Sequence, residues 1–320
     1  MSLKPYLAFI NTHPRLKLNL ILTFVLLALI PYKSDYYQLD LSQSKPLVRP
    51  ISYQFLPPSD YPIKTSTQPA PYLTSRSAII IDTDSKAILY AKNPDLKLLP
   101  ASTTKIMTAL VVLDHFKLSD VVTIASIQTE PVVMKLEPGE KITMENLLYG
   151  LLVGSANDAA IALAQAYPGG EPGFVKAMNQ KAAELHLTST QFANPVGFDS
   201  FGQYTTVHDL SLLTAIAMEN PVIKRLVSTI SITVSDTDNT LSHELENLNQ
   251  LLGKVPGLSG VKTGFTQLAG ECLITYTKRD GHALIVVVLN GQDRFLDNQN
   301  LIDWAFLNFT WQDLPEATRS

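Results

Sequence analysis

A single cysteine, Cys272, stands among 320 residues, so no intrachain disulfide can form and thiol content leaves the redox compartment open. The six histidines are scattered, with no His-x-x-x-His pair and no cysteine pair, so zinc-ligand spacing is missing and no metal site is expected. Basic charge is also scarce: 25 Lys and Arg face 29 Asp and Glu, and Lys4, Arg15, Lys17 and Lys33 all precede the first acid, Asp35. The rest of the chain is therefore mildly acidic, which argues against nucleic acid as a partner. Apolar residues, by contrast, make up 46% of the chain, which excludes wholesale disorder and supplies ample core for one large domain or two ordinary ones.

Residues 1–17 carry only positive charge, and Leu18 to Tyr32 is apolar apart from Asn19 and Thr23. As helix this run would reach about 22 Å, short of the ~30 Å hydrocarbon thickness, although Lys17 and Lys33 could extend it by snorkelling. It reads as a cleaved secretory signal or an uncleaved anchor. The anchor is preferred, because Ile30-Pro31-Tyr32-Lys33 offers no small-residue cleavage site. Either way the positive flank stays inside and the body is exported to the outer face of the cytoplasmic membrane. Residues 1–34 thus form a cytoplasmic stub and membrane segment. Pro46, Pro50, Pro57, Pro58, Pro62, Pro69 and Pro71 then forbid helix and central strand, so residues 35–74 are expected to be an extended spacer. A folded domain is expected over 75–312, followed by a tail over 313–320.

Within that domain the β-rich run Ala78 to Asp82 turns through Asp84-Ser85-Lys86 into Ala87 to Ala91. A central stretch is helical in pattern: Ser102 to His115, Thr143 to Val153 with Thr143 as cap, Ala159 to Ala166, Phe174 to Leu187, and a helix opened by Thr206-x-x-Asp209. Strands return at Ile230 to Val234, after Gly260, at Glu271 to Lys278 and at His282 to Leu289, and Leu301 to Phe306 closes the chain as a helix. The pattern predicts an α+β fold, an antiparallel sheet built from terminal segments with a helical lobe inserted in the middle.

Ser102 and Lys105 are three apart at a helix start after Pro100, which places an amine within reach of a hydroxyl. Such a serine becomes a nucleophile only if the lysine is held neutral, by desolvation or by nearby cations. Alone, Ser-x-x-Lys is a common coincidence, since a serine there usually caps and a lysine is usually solvated. Two later stretches change its weight: Ser155-Ala156-Asn157 in an interhelical loop, and Lys262-Thr263-Gly264 leading a strand.

This ordered trio resembles the penicillin-recognising serine enzymes. Together with Asn194-Pro195-Val196-Gly197-Phe198-Asp199, Gly202 to Thr206 with His208-Asp209, Asn247 to Leu252, and Gly260 to Thr266 running into Ala269 to Leu273, it is similar to the low-molecular-mass penicillin-binding proteins that act as D-alanyl-D-alanine carboxypeptidases. The resemblance implies a β-lactamase/transpeptidase-like domain without a cofactor. It implies peptidoglycan stem peptides as substrates and β-lactams as covalent inhibitors. Ser102 would attack the carbonyl between two D-alanines, and Lys105 would take its proton. Ser155 would relay a proton to the leaving D-alanine, and Asn157 would hold the acylated side. Lys262 and Thr263 would bind the terminal carboxylate, Gly264 would let the substrate backbone lie along the strand, and the N–H groups of Ser102 and Phe265 would form the oxyanion hole.

Three other readings compete. A class A-like β-lactamase needs a glutamate aligned on the acyl-ester, for which the sequence offers Glu171 and Glu184. A D,D-endopeptidase acting on cross-links would use the same residues, and so would a peptidoglycan-binding module without turnover. Many relatives add a second β-rich domain and a C-terminal amphipathic anchor. The closing helix near residue 306 leaves no room for these, so attachment is expected through Leu18 to Tyr32. Ala156, where the family often has glycine, is expected to face away from the site.

Overall fold

The computed structural model describes residues 12–28, 60–125, 127 and 132–312. The chain divides into two compact units, residues 1–55 and 56–320. In the first, helix α1 (Pro14–Ala28) opens on a proline, which is tolerated in a first turn, and exposes its leucines and valine to solvent. Among the described residues no helix is long and apolar enough to cross a membrane. Residues 29–32 lie outside the described residues, so the helix does not support a span over 18–32.

The second unit is organised on a five-stranded antiparallel sheet in the order β3-β2-β10-β9-β8. Its strands are β2 (Ser77–Asp82), β3 (Ile88–Lys92), β8 (Leu258–Thr266), β9 (Gly270–Arg279) and β10 (His282–Gly291). Successive side chains point to opposite faces, and here both faces are covered, which is why these strands read as unbroken apolar runs. Ile79 and Ile81 of β2 join Ile285, Val287 and Leu289 of β10 in the larger core. Ala78 and Ile80 join Leu284, Val286 and Val288 in a second core, closed by Leu301, Ile302, Trp304 and Ala305 of helix α8 (Arg294–Asn308).

The larger core is shared with the inserted helical lobe. This comprises α2 (Lys105–His115), α3 (Met144–Leu152), α4 (Asn157–Ala166), α5 (Gly170–Glu184), α6 (Val207–Glu219) and α7 (Pro221–Val227). The expected caps form: Thr143 accepts from Asn146 N and Thr206 from Asp209 N. Two two-stranded antiparallel ribbons accompany the helices, β4 (Val121–Thr123) with β5 (Lys141–Thr143) and β6 (Ser231–Ser235) with β7 (Ser242–Glu246). Sheet segments from the two ends of the unit, with helices inserted between them, make the fold α+β as the sequence predicts.

Three expectations are corrected. Helix α5 begins at Gly170, not Phe174, because Pro172 falls in its first turn, where the missing N–H costs no helical bond. Among the described residues a strand follows α8: β11 (Phe309–Gln312) pairs with β1 (Tyr61–Lys64). Pro62 therefore lies in a strand, permitted because this two-stranded ribbon leaves each strand an unpaired edge. The spacer expected over 35–74 is thus ordered body from residue 60, while its residues 35–59 and the tail 313–320 lie outside the described residues.

The segment before β2 is tied down by the buried carboxylate of Asp297 on α8. It accepts from Thr74 N at 3.0 Å, Thr74 Oγ1 at 2.8 Å, Ser75 N at 2.7 Å and Ser75 Oγ. Removing it leaves two backbone donors without their partner inside the protein. Asp297→Ala should therefore cost about 4 kcal/mol, read as a fall of roughly 10 °C in melting temperature. A melting curve unchanged by the substitution would show that this carboxylate does not hold the segment.

Candidate active site

Ser102 lies in a 3-10 turn, Ala101–Thr104, that opens directly into α2, so Lys105 is the first residue of the α-helix. The turn packs closely against the edge strand β8. A Cβ on Gly264 would stand 3.1 Å from Ala101 Cβ and from Ser102 N. A side chain at the glycine of Lys-Thr-Gly would thus press on the nucleophile turn, a constraint beside the substrate approach expected of it. Gly197 does the same from the opposite side, at φ +97°, where a Cβ would collide with the Ala101 carbonyl oxygen.

Lys105 is fully buried. Its Nζ stands 2.9 Å from Ser102 Oγ, 2.8 Å from Asn157 Oδ1 and 2.9 Å from the carbonyl oxygen of Val196. The last two can only accept. A neutral amine has two N–H groups to give them, and its lone pair then faces the serine hydroxyl. Burial pushes the Lys105 pKa well below its ordinary value, and the positive charge of Lys262 adds to the effect, against the opposing pull of Asp158. The geometry and the electrostatics agree on a lysine able to take a proton from Ser102.

A second pair lies beside it. Lys262 Nζ on β8 donates to Ser155 Oγ at 2.8 Å and to the Thr263 carbonyl at 3.1 Å. Burial, then the charge of Arg294, lowers its pKa to about 7. Ser155 sits at φ +54° and does not cap the following helix, whose N-cap is Ala156 without a side-chain bond. Its hydroxyl is instead turned to Lys262. Ala156 packs into the core, consistent with a middle position that faces away. Ser102, Asn157 and Phe265 line one groove of about 360 Å³ with Val132, Val196–Asp199, Thr266 and Gln267. Ser155, Lys262 and Thr263 are buried beside it. Glu171 and Glu184 are not among the lining residues, and the Glu184 side chain is 67% exposed on α5, paired with Lys181.

Several supporting residues escaped the sequence reading. Asn194 Oδ1 accepts from the N–H groups of Val196, Gly197 and Phe198, and Thr108 of α2 donates to Pro195 O at 2.7 Å. Together they aim the Val196 carbonyl at Lys105. The Asn-Pro-x-Gly turn was the available signal. Asp158 accepts from Met134 N and Leu136 N, and His243 bridges Met134 O at 2.7 Å and Glu140 Oε1 at 2.8 Å, so the loop that carries Val132 is fixed by buried polar groups. Arg294 donates to Gly264 O at 2.8 Å and carries its charge next to Lys262. No spacing in the sequence indicated either group.

Gly197→Ala should displace the serine turn, since strain at positive φ adds to the collision with Ala101. A loss of about 3 kcal/mol in stability and at least tenfold in the rate of acylation by a fluorescent penicillin is expected. Equal rates in the variant and the parent would mean that this contact does not position the serine.

The chain matches the family model described as D-alanyl-D-alanine carboxypeptidase over residues 64–293. It is 34% identical over 258 residues to the D-alanyl-D-alanine carboxypeptidase DacF of Bacillus subtilis, covering 77% of this chain and 66% of that protein. It is 35% identical over 240 residues to a D-alanyl-D-alanine endopeptidase of Pseudomonas aeruginosa, covering 72% of this chain and 77% of that protein. The fold superposes with a TM-score of 0.66 and 30% identity on penicillin-binding protein D2 of Listeria monocytogenes in its ampicillin-bound form, covering 75% of this chain and 100% of that one. Fold, ordered motifs and these likenesses together place the chain in the D-alanyl-D-alanine carboxypeptidase family.

Proposed function

We propose that the protein is a serine-type D-Ala-D-Ala carboxypeptidase that removes the terminal D-alanine of peptidoglycan stem peptides through an acyl-Ser102 intermediate. The observation that carries this reading is the Lys105 amine, held by two obligate acceptors with its third direction on Ser102 Oγ. Ser102 Oγ attacks the carbonyl between the two D-alanines as its proton passes to Lys105. The developing oxyanion takes hydrogen bonds from the N–H groups of Ser102 and Phe265, each worth about 3 kcal/mol by analogy with other acyl-transfer sites. Asn157 holds the acylated side. Lys262 and Thr263 bind the free carboxylate, and Ser155, hydrogen-bonded to Lys262, passes a proton to the departing amine. The C–N bond breaks, D-alanine leaves, and water then releases Ser102.

The ampicillin-bound form of the solved Listeria relative supports β-lactams as ligands of this chain, with Ser102 as the proposed point of covalent inhibition. An endopeptidase role on cross-links draws on the Pseudomonas relative and uses the same groups. The substrate places the body outside the cytoplasmic membrane. Attachment through residues 18–32 is proposed on the positive charge of residues 1–17 and the exposed apolar side chains of α1. The domain boundaries proposed with it are a membrane or signal segment to residue 34, a spacer to residue 59 and the enzyme domain from residue 60.

Incubation with penicillin should add one covalent equivalent to Ser102, visible by intact mass. Ser102→Ala should abolish both the adduct and D-alanine release from a pentapeptide while leaving the melting temperature within about 2 °C. Rapid loss of the adduct would favour a β-lactamase. Faster cleavage of a cross-linked dimer than of the pentapeptide would favour an endopeptidase.

The pH dependence follows from the two lysines. Lys262 must be charged to attract a carboxylate, and its protonated share falls as pH rises through about 7. The kcat/KM for a carboxylate substrate should therefore decline by up to tenfold per pH unit above about 7. In kcat the limb should lie higher, since bound carboxylate stabilises the ammonium. Lys262→Arg keeps its charge and should remove the alkaline limb. A limb that stays in place would assign it to another group.

A further inference from the structure

The loop 192–203 presents Val196 O to Lys105 and lines the groove with residues 196–199. It leaves and rejoins the body at a neck, where Gln191 N donates to Tyr204 O at 2.9 Å and Tyr204 N to Gln191 O at 3.1 Å. Asn179 of α5 ties this neck to the helical lobe: its Oδ1 accepts from Phe192 N at 2.9 Å and its Nδ2 donates to Phe192 O at 2.8 Å. Between α5 and the neck lies a depression of about 520 Å³, in the size range of small-molecule sites, which shares no lining residue with the groove. Its lining holds no acid, lysine or arginine, so neither an ammonium nor a phosphate meets a fixed counter-charge there. Among the described residues the side chains of His186, Thr188, Gln191 and Tyr204 form no hydrogen bond, which leaves imidazole, hydroxyl and amide groups that both donate and accept. Lys97 Nζ stands 4.3 Å from the centre of the Tyr204 ring and holds its orientation. Ala182 and Leu187, both buried, give the depression an apolar floor. Uncharged hydroxyls, an amide and a methyl are the complement of this set, and they are the groups of an N-acetylated sugar.

We propose that this depression is a subsite for an N-acetylated sugar of the glycan strand that carries the stem peptide. The inference rests on the carboxypeptidase reading above, because that reading makes peptidoglycan the substrate. One loop then serves both ends of that substrate: its middle lines the groove where the peptide is cut, and its neck holds the sugar.

The test compares a pentapeptide attached to its disaccharide of N-acetylated sugars with the same pentapeptide bearing only an N-acetyl group. The full-length protein should release D-alanine from the sugar-linked form with a kcat/KM about fivefold higher, the worth of roughly one net hydrogen bond, chiefly through a lower KM. In the double variant Thr188→Ala, Gln191→Ala, which removes side chains and keeps the backbone pairing of the neck, the ratio should fall to about one. Saturation-transfer NMR with N,N′-diacetylchitobiose as probe should show transfer to its acetamido methyl groups in the parent protein and lose most of it in the double variant. Equal use of both peptides by the parent, a ratio that survives in the double variant, or equal transfer to the probe in both proteins would overturn the inference while leaving the carboxypeptidase reading intact. No D-alanine from either peptide would overturn that reading, and this inference with it. The ratio within one variant is insensitive to how much of it is folded, so a loss of stability cannot imitate the result.

Discussion

Two lysine amines buried side by side are the constraint on which the rest of this structure depends. An ammonium taken out of water costs far more than a single hydrogen bond returns, and a second positive charge nearby raises the cost further. The interior answers this for Lys105 by lowering its affinity for a proton and by surrounding its nitrogen with Val196 O, Asn157 Oδ1 and Ser102 Oγ. For Lys262 it leaves a proton that is lost near neutrality and supplies Ser155 Oγ and Thr263 O as acceptors. The same physics that makes these residues expensive to bury makes one a base and the other a switchable cation.

Those acceptors come from parts of the chain far apart in sequence, so the fold has to deliver them with little tolerance. The sheet does this by being covered on both faces. Helix α8 seals one side, the helical lobe fills the other, and β8 is left as an edge on which a peptide can lie. A backbone approach that only glycine permits at Gly197, and a tight one at Gly264, then hold the serine turn between loop and strand. Polar groups that do not line the groove hold the remaining walls. Asn194 shapes the turn that presents Val196 O, while Asp158, His243 and Glu140 hold the segment carrying Val132. These groups are expensive to leave unpaired, so they keep the groove in one arrangement.

Local signals were legible wherever the cause of a structure is local. Thr143 and Thr206 cap helices because their side chains meet N–H groups three residues on, and the β-branched runs of β2 and β10 are strands because both of their faces are apolar. Where a nearby signal was ambiguous, tertiary context decided. The prolines and glycines before Phe174 read as a break, yet Pro172 fits a first helical turn. Pro62 read as spacer, yet it pairs across a sequence separation that only folding closes. Ser155 read as part of an interhelical loop, and its hydroxyl is the partner of Lys262.

By itself the sequence determined the α+β class, the order of the three motifs and the identity of the hydroxyl and amines within them, since side-chain chemistry and short spacings are written directly in the chain. Tertiary structure alone decided that Val196 O and Asn157 Oδ1 meet on Lys105, that the charge of Arg294 acts on Lys262, and that Asp199 bonds to Thr266 of β8. Each of these depends on backbone carbonyls or on side chains separated by tens of residues. Their proximity is set by how the cores pack, which no local pattern encodes.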